Sequence, residues 1–230
     1  MSKKRMNRNK PSNTSLKLRD VEALRGRQQE LFDLSLTKDI IANVGCAGTG
    51  KTFCSIYLGI DDVMSRDNDY NRLVILRSQV SVRDSGHLPG TKEEKESVYQ
   101  IPYVSIINEL FGRGDAYSIL INNGLLEFES TSFLQGTTFT DSIIVVDEFQ
   151  NMTFNELDMV ISRVGENCMI YFCGDTHQSY LRHHEQDGGF LKFLKILNSM
   201  DSAALVEFDE EDIVRSGLVK EYILARNKEG

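Results

Sequence analysis

Six short apolar runs recur along the chain with helical patterns between them, and few folds accommodate that alternation. The runs are DIIANV (39–44), RLVILRS (72–78), LLEFES (125–130), SIIVVDE (142–148), CMIYFCG (168–174) and ALVEF (204–208). Most are apolar at successive positions rather than at every second one, so both faces of each strand must be covered. Helical spacing runs from Asp20 through Leu24 to Leu34. It returns in GKTFCSIYLGIDDVMS (50–65), NELDMVISRVG (155–165), FLKFLKILNSM (190–200) and EDIVRSGLVKEYILAR (211–226). Strands buried on both sides and alternating with helices predict an α/β fold, one mostly parallel sheet with helices on both faces. The chain has 230 residues, 40% of them hydrophobic, enough for one sizeable core. We expect one domain over 20–230, preceded by a disordered basic arm over 1–19.

The charge is uneven. Residues 1–27 hold nine of the 26 basic residues and two acids, Asp20 and Glu22, for +7, which leaves −15 on residues 28–230. A basic arm on an acidic body can reach nucleic-acid phosphates by counterion release, or it can simply be a solvated tail; the charge alone leaves both open. VRDSGHLPGTKEEKESVYQIPY (82–103) holds glycines, two of the three prolines and a charge run, so it reads as a long loop, functional or merely an insertion. No run of 18 apolar residues exists, so no membrane span is expected. The first fifteen residues lack the apolar region of a secretory signal. Cys46, Cys54, Cys168 and Cys173 follow no metal-ligand or C-x-x-C spacing, and we expect reduced wall and core residues in a cytoplasmic protein.

One turn is richer in glycine than a strand–helix connection needs. GCAGTGKT (45–52) fits the phosphate-binding loop G-x-x-x-x-G-K-[ST], with an apolar run before it and a helical pattern after it. Glycines at 45, 48 and 50 let the backbone N–H groups of this stretch, Ala47 and Thr49 among them, curl around phosphates at a helix N-terminus. Lys51 is then placed for the β- and γ-phosphates of ATP, and the Thr52 hydroxyl for Mg²⁺. Such a loop needs an acidic partner at the carboxyl end of a neighbouring strand, and SIIVVDE ends in Asp147 and Glu148. Asp147 is the candidate for Mg²⁺, and Glu148 for orienting and deprotonating water. An acid pair placed to activate water favours hydrolysis over phosphate transfer to a small molecule. CMIYFCGDTHQ ends its strand in Gly174, Asp175 and Gln178; Gln178 is a candidate γ-phosphate sensor, and ordinary turn capping is the other reading. Arg163 after one helix and Arg215 early in the last are candidate charge-stabilising fingers; either could also be a surface ion pair.

Together these segments resemble the PhoH family, whose single RecA-like ATPase core is similar to the first motor domain of superfamily 1 helicases. The matching stretches are GCAGTGKT (45–52), HLPGTKEEK (87–95), TSFLQGTTFTDSIIVVDEFQNMT (131–153), SRVG (162–165), GDTHQ (174–178) and DIVRSGLVKEYI (212–223). The resemblance implies ATP binding and Mg²⁺-dependent hydrolysis, with Lys51 and Thr52 on phosphate and metal, Asp147 and Glu148 as the acidic pair, and Gln178 as sensor. It places Gln28 or Gln29 where such motors read adenine, and we favour Gln28. It further implies coupling to RNA or single-stranded DNA, and a homo-oligomer, a hexameric ring being one form, in which Arg163 or Arg215 acts in trans. An ATP-gated scaffold with incidental turnover is the alternative. Two positions depart from the family: Gln135 stands where an arginine is usual, and Phe149 where an alanine is.

Overall fold

A computed structural model describes residues 15–78, 92–131, 134, 136, 138–175 and 189–229. Six strands form one sheet: β1 (Ile40–Gly45), β2 (Arg72–Arg77), β3 (Leu126–Ser130), β4 (Ser142–Asp147), β5 (Cys168–Gly174) and β6 (Ala203–Phe208). Their order is β3-β2-β4-β5-β1-β6, and every neighbouring pair is parallel. The helices are α1 (Gly26–Ser35), α2 (Lys51–Met64), α3 (Lys92–Phe111), α4 (Ala116–Asn122), α5 (Phe154–Ser162), α6 (Gly189–Asn198) and α7 (Gly217–Glu229).

Successive strand residues point to opposite faces, and each face has its own core. Ile41, Leu73, Ile75, Ile143, Val145 and Tyr171 pack under α2, α3 and α4 with Ile56, Ile60, Tyr103, Ile107 and Leu120. Ile40, Ala42, Val74, Leu76, Ile144, Val146, Ile170 and Phe172 pack under α5 and α6 with Leu157, Val160, Phe193 and Leu197. Each buried aliphatic side chain contributes about 1.5–3 kcal/mol on leaving water, which is why runs apolar on both faces settle inside such a sheet. The expected α/β class with a parallel sheet and helices on both faces is the observed one.

Several elements differ from the sequence expectation. The first helix starts at Gly26 and not near Asp20, because the backbone before it is held by other parts of the chain. Arg19 N–H donates to the Leu110 carbonyl, Leu24 N–H donates to Gln28 Oε1, and Leu16 is buried in the core. The last helix starts at Gly217, so Arg215 lies in the turn before it rather than within it. That turn is shaped by Asp212, whose carboxylate accepts from the N–H groups of Arg27 and Asp209, a side-chain competitor to helical pairing. The stretch read as a loop through Tyr103 is helical from Lys92 onward, with Pro102 inside α3. Pro102 has no N–H for the carbonyl of Val98, and Val98 lies on the exposed side where water can take that bond. Residues 1–14, which carry most of the basic arm, lie outside the described residues. Among the described residues, no helix is long and apolar enough to cross a membrane.

Candidate nucleotide site

β1 ends at Gly45 and α2 begins at Lys51, and the turn between them passes through positive φ at Gly45 (116°), Gly48 (76°) and Gly50 (85°). Gly45 is also required for space: a Cβ there would stand 1.9 Å from the Phe208 carbonyl oxygen of β6. The loop's carbonyls are held by two residues outside it and by one of its own. Gln28 Nε2 donates to the Thr49 carbonyl (2.8 Å), Val214 N–H to the Gly48 carbonyl (3.0 Å), and the Thr49 hydroxyl to the Cys46 carbonyl (3.0 Å). Cys46, Ile213 and Ile223 form a small apolar cluster behind it. No side chain caps the N-terminus of α2, which leaves its first N–H groups and its positive dipole end turned to the loop's hollow.

The Lys51 ammonium donates into that hollow, to the carbonyls of Gly45 (3.0 Å) and Cys46 (2.5 Å). Burial pushes its pKa down, and the nearby Asp175 carboxylate opposes the shift. One residue on, the Thr52 hydroxyl donates to Asp147 Oδ1 at 2.7 Å, joining two motifs far apart in sequence. The other carboxylate oxygen, Oδ2, accepts from the Tyr103 hydroxyl of α3 at 2.8 Å. Glu148 follows in a left-handed conformation (φ 54°), where β4 turns into a short 3₁₀ segment, Phe149–Asn151. Its Oε2 accepts from Gln150 Nε2 at 2.6 Å. Burial first, and then the charge of Asp147, hold its carboxyl above the usual glutamate value. Gln150 is fully buried, and its Oε1 accepts from the Asp175 N–H at the end of β5 (3.1 Å). Asp147 is in register with Arg77 of β2 and Cys173 of β5, so the carboxyl ends of these strands form one row.

These groups line a cleft of about 650 Å³. Ala47, Gly48, Thr49, Gly50, Lys51, Thr52, Asp147, Glu148, Gln28 and Arg215 all line it, with Val21, Leu24, Pro102 and Ile106 among its apolar walls. Gly45 stands behind the loop as the end of β1. Arg215 packs on Gly48 of its own chain, its Cγ 2.8 Å from where a Cβ would be. Arg163 does not line the cleft: it is the C-cap of α5, and its carbonyl accepts from Phe139 N–H. Gln178 and Gln135 lie outside the described residues. Gln28 is only 3% exposed, with its amide oxygen held by Leu24 N–H and its nitrogen on Thr49 O, so it braces the loop as well as facing the cleft. Phe149 packs edge-on against Phe172 and Phe193 beneath the acids. Cys46, Cys54, Cys168 and Cys173 are free thiols. Tyr103, Arg77 and Gln150 escaped the sequence reading. Gln150 had a signal in its place directly after the acid pair, whereas Tyr103 and Arg77 had none.

The residues fit a magnesium ion. A threonine hydroxyl and a carboxylate already in contact are hard oxygen donors, as Mg²⁺ requires. Among the described residues there is no cluster of three or more His, Cys, Asp or Glu, so its other ligands would be phosphate oxygens and water.

A parallel α/β sheet that sets a glycine loop and its lysine beside an acid pair on a neighbouring strand has the fold of a P-loop NTPase. The family to which it belongs is given by comparison. The profile of the PhoH-like protein family matches residues 20–227, and the chain belongs to that family. A PhoH-like protein of Bacillus subtilis (strain 168) is 27% identical over 203 residues, 88% of this chain and 62% of that protein. The protein PhoH of Escherichia coli (strain K12) is 29% identical over 184 residues, 79% of this chain and 51% of that protein. The chain therefore spans less than two thirds of the length of these relatives. Among solved structures, a large terminase from a thermophilic bacteriophage aligns with a TM-score of 0.44 and 12% identity. The alignment covers 85% of this chain and 48% of the terminase, a likeness too distant to bear on function.

Proposed function

We propose that the chain binds ATP in this cleft and hydrolyses it with Mg²⁺. The observation that carries the reading is the 2.7 Å contact between Thr52 and Asp147, which unites the two residues assigned to the metal from separate motifs. The loop N–H groups and the α2 N-terminus receive the phosphates, and the Lys51 ammonium leaves its carbonyl partners for phosphate oxygens. Thr52 and Asp147 would hold Mg²⁺, which supplies neutralisation of phosphate charge when bound. Glu148 takes a proton from water as the water oxygen bonds to the γ-phosphorus; the bond to the bridging oxygen breaks and ADP leaves with that electron pair. A carboxyl held above its usual pKa is the stronger proton acceptor for that step. Gln178 is the proposed γ-phosphate sensor. Arg163 or Arg215 is the proposed charge-stabilising finger; the packing of Arg215 on Gly48 of its own chain supports a role for it within one subunit.

We further propose coupling to RNA or single-stranded DNA, supported by the nine basic residues within 1–27, and assembly into a homo-oligomer. A specific observation favours the second reading, ATP as the gate of an assembly: α7, beside the loop, exposes Leu218, Val219 and Tyr222 along one stripe. Phosphate release from Mg²⁺-ATP, measured with and without each nucleic acid and with Glu148→Gln as control, tests both. Stimulation lost in the control supports the coupled ATPase. Turnover indifferent to nucleic acid, with size changing on ATP addition in both proteins, supports the assembly; no turnover and no size change refute both.

A further inference from the structure

Tyr103 is fully buried in α3, yet its hydroxyl reaches out of the core to the carboxylate proposed for the metal. A tyrosine in an apolar core leaves its hydroxyl stranded unless a partner is supplied. This one has a partner: it donates to Asp147 Oδ2 at 2.8 Å, and the positive charge of the nearby Arg77 guanidinium acts on the phenol. Arg77 is itself fixed at both ends. Its backbone is in register with Asp147 across β2 and β4, and its guanidinium lies 5.8 Å from the centre of the Tyr99 ring, one turn before Tyr103 on α3. Asp147 is thereby gripped on Oδ1 by Thr52 and on Oδ2 by Tyr103, and the carboxylate plane is set by the pair.

We infer that Tyr103, backed by Arg77, is a positioning residue for Mg²⁺: it orients Asp147 without touching metal or nucleotide. The inference rests on the proposed ATP site and goes beyond it by making α3 part of the metal's outer shell. The pattern has a physical reason. A metal-binding carboxylate free to rotate loses entropy on binding, while one held by a neutral donor keeps its charge and its orientation. A hydroxyl suits the place, since a cation donating directly to Oδ2 would compete with the metal for the carboxylate's charge. Arg77 therefore acts one step back, polarising the tyrosine. Outer-shell partners of this kind are worth about 10- to 100-fold in metal affinity.

The test is the Mg²⁺ dependence of binding of a fluorescent, non-hydrolysable ATP analogue to the full chain, compared with its binding in EDTA. Tyr103→Phe removes one oxygen and is expected to raise the half-saturating Mg²⁺ concentration at least tenfold. Analogue binding in EDTA is expected to be unchanged. Tyr103 acting only in packing would weaken binding equally with and without Mg²⁺, and that outcome overturns the inference, as does an unchanged Mg²⁺ requirement. Should Tyr103→Phe fail to fold, Arg77→Gln gives the same reading, with an expected shift of a few-fold in the same direction. Failure of the underlying reading looks different: the wild-type chain would then show no analogue binding, or binding indifferent to Lys51→Ala.

Discussion

Replacing Gly45 by alanine tests the close approach on which the loop depends. The new Cβ would meet the Phe208 carbonyl oxygen at 1.9 Å, where real contacts do not fall below 3.0 Å, so β1 and β6 must part by about 1 Å at their carboxyl ends. Overpacking of this sort costs about 1–3 kcal/mol. Holding alanine at a φ of 116° adds strain of about 1–3 kcal/mol. Separation also breaks the bond from Cys46 N–H to that carbonyl, worth about 1 kcal/mol. Relaxation shares these terms, and a loss of about 3–5 kcal/mol is expected, a large part of a domain's usual 5–15 kcal/mol. Urea unfolding followed by circular dichroism reads it as a fall in midpoint at constant slope. Gly114→Ala is the control: nothing lies within 4 Å of its Cβ, and about 0.5 kcal/mol or less should change. A Gly45→Ala protein as stable as the control, with nucleotide binding intact, would refute the reasoning.

Three further substitutions test the same geometry. Glu148→Gln should abolish phosphate release while sparing ATP binding; and since the carboxyl sits above its usual pKa, wild-type turnover should fall, as pH is lowered, earlier than an ordinary glutamate would allow. The sign for stability is the reverse. A carboxyl raised by folding favours the fold in its protonated form and loses that contribution as pH rises through its folded pKa, so Glu148→Gln should raise the urea midpoint at pH 7, and the gain should shrink in acid. Phe149→Ala leaves a void against Phe172, Phe190 and Phe193 and should cost about 3–5 kcal/mol in urea unfolding. Thr153→Ala removes a capping box, in which Thr153 and Glu156 satisfy each other's backbone N–H groups, and should cost about 1 kcal/mol by the same measurement.

What could be read from sequence was what is local. β5 is legible to the residue because CMIYFCG is apolar on both faces and bounded by turns. The glycine loop is legible because only glycine tolerates positive φ beside a packed strand. α3 was not, since Pro102 and the charges of KEEKE mask the helical pattern of its buried residues Tyr103, Ile107 and Leu110. The start of α7 was missed for a tertiary reason: Asp212 spends its carboxylate on Arg27 and Asp209, which keeps Arg215 in a turn against Gly48. Gln28 has the same lesson in reverse. The resemblance suggested base reading for it, and of its two partners Leu24 is local while Thr49 is brought to it by the fold. Tyr103 reaching Asp147 is likewise a contact between elements that no spacing announces.

The central claim is that the cleft between the glycine loop and the acid pair is an ATP site. It is tested most directly by calorimetric titration of the chain with a non-hydrolysable ATP analogue in Mg²⁺, alongside Lys51→Ala. Saturable one-site binding by the wild-type chain, lost or weakened at least tenfold in Lys51→Ala, is the predicted result. Equal binding by the two proteins, or none by either, would contradict it.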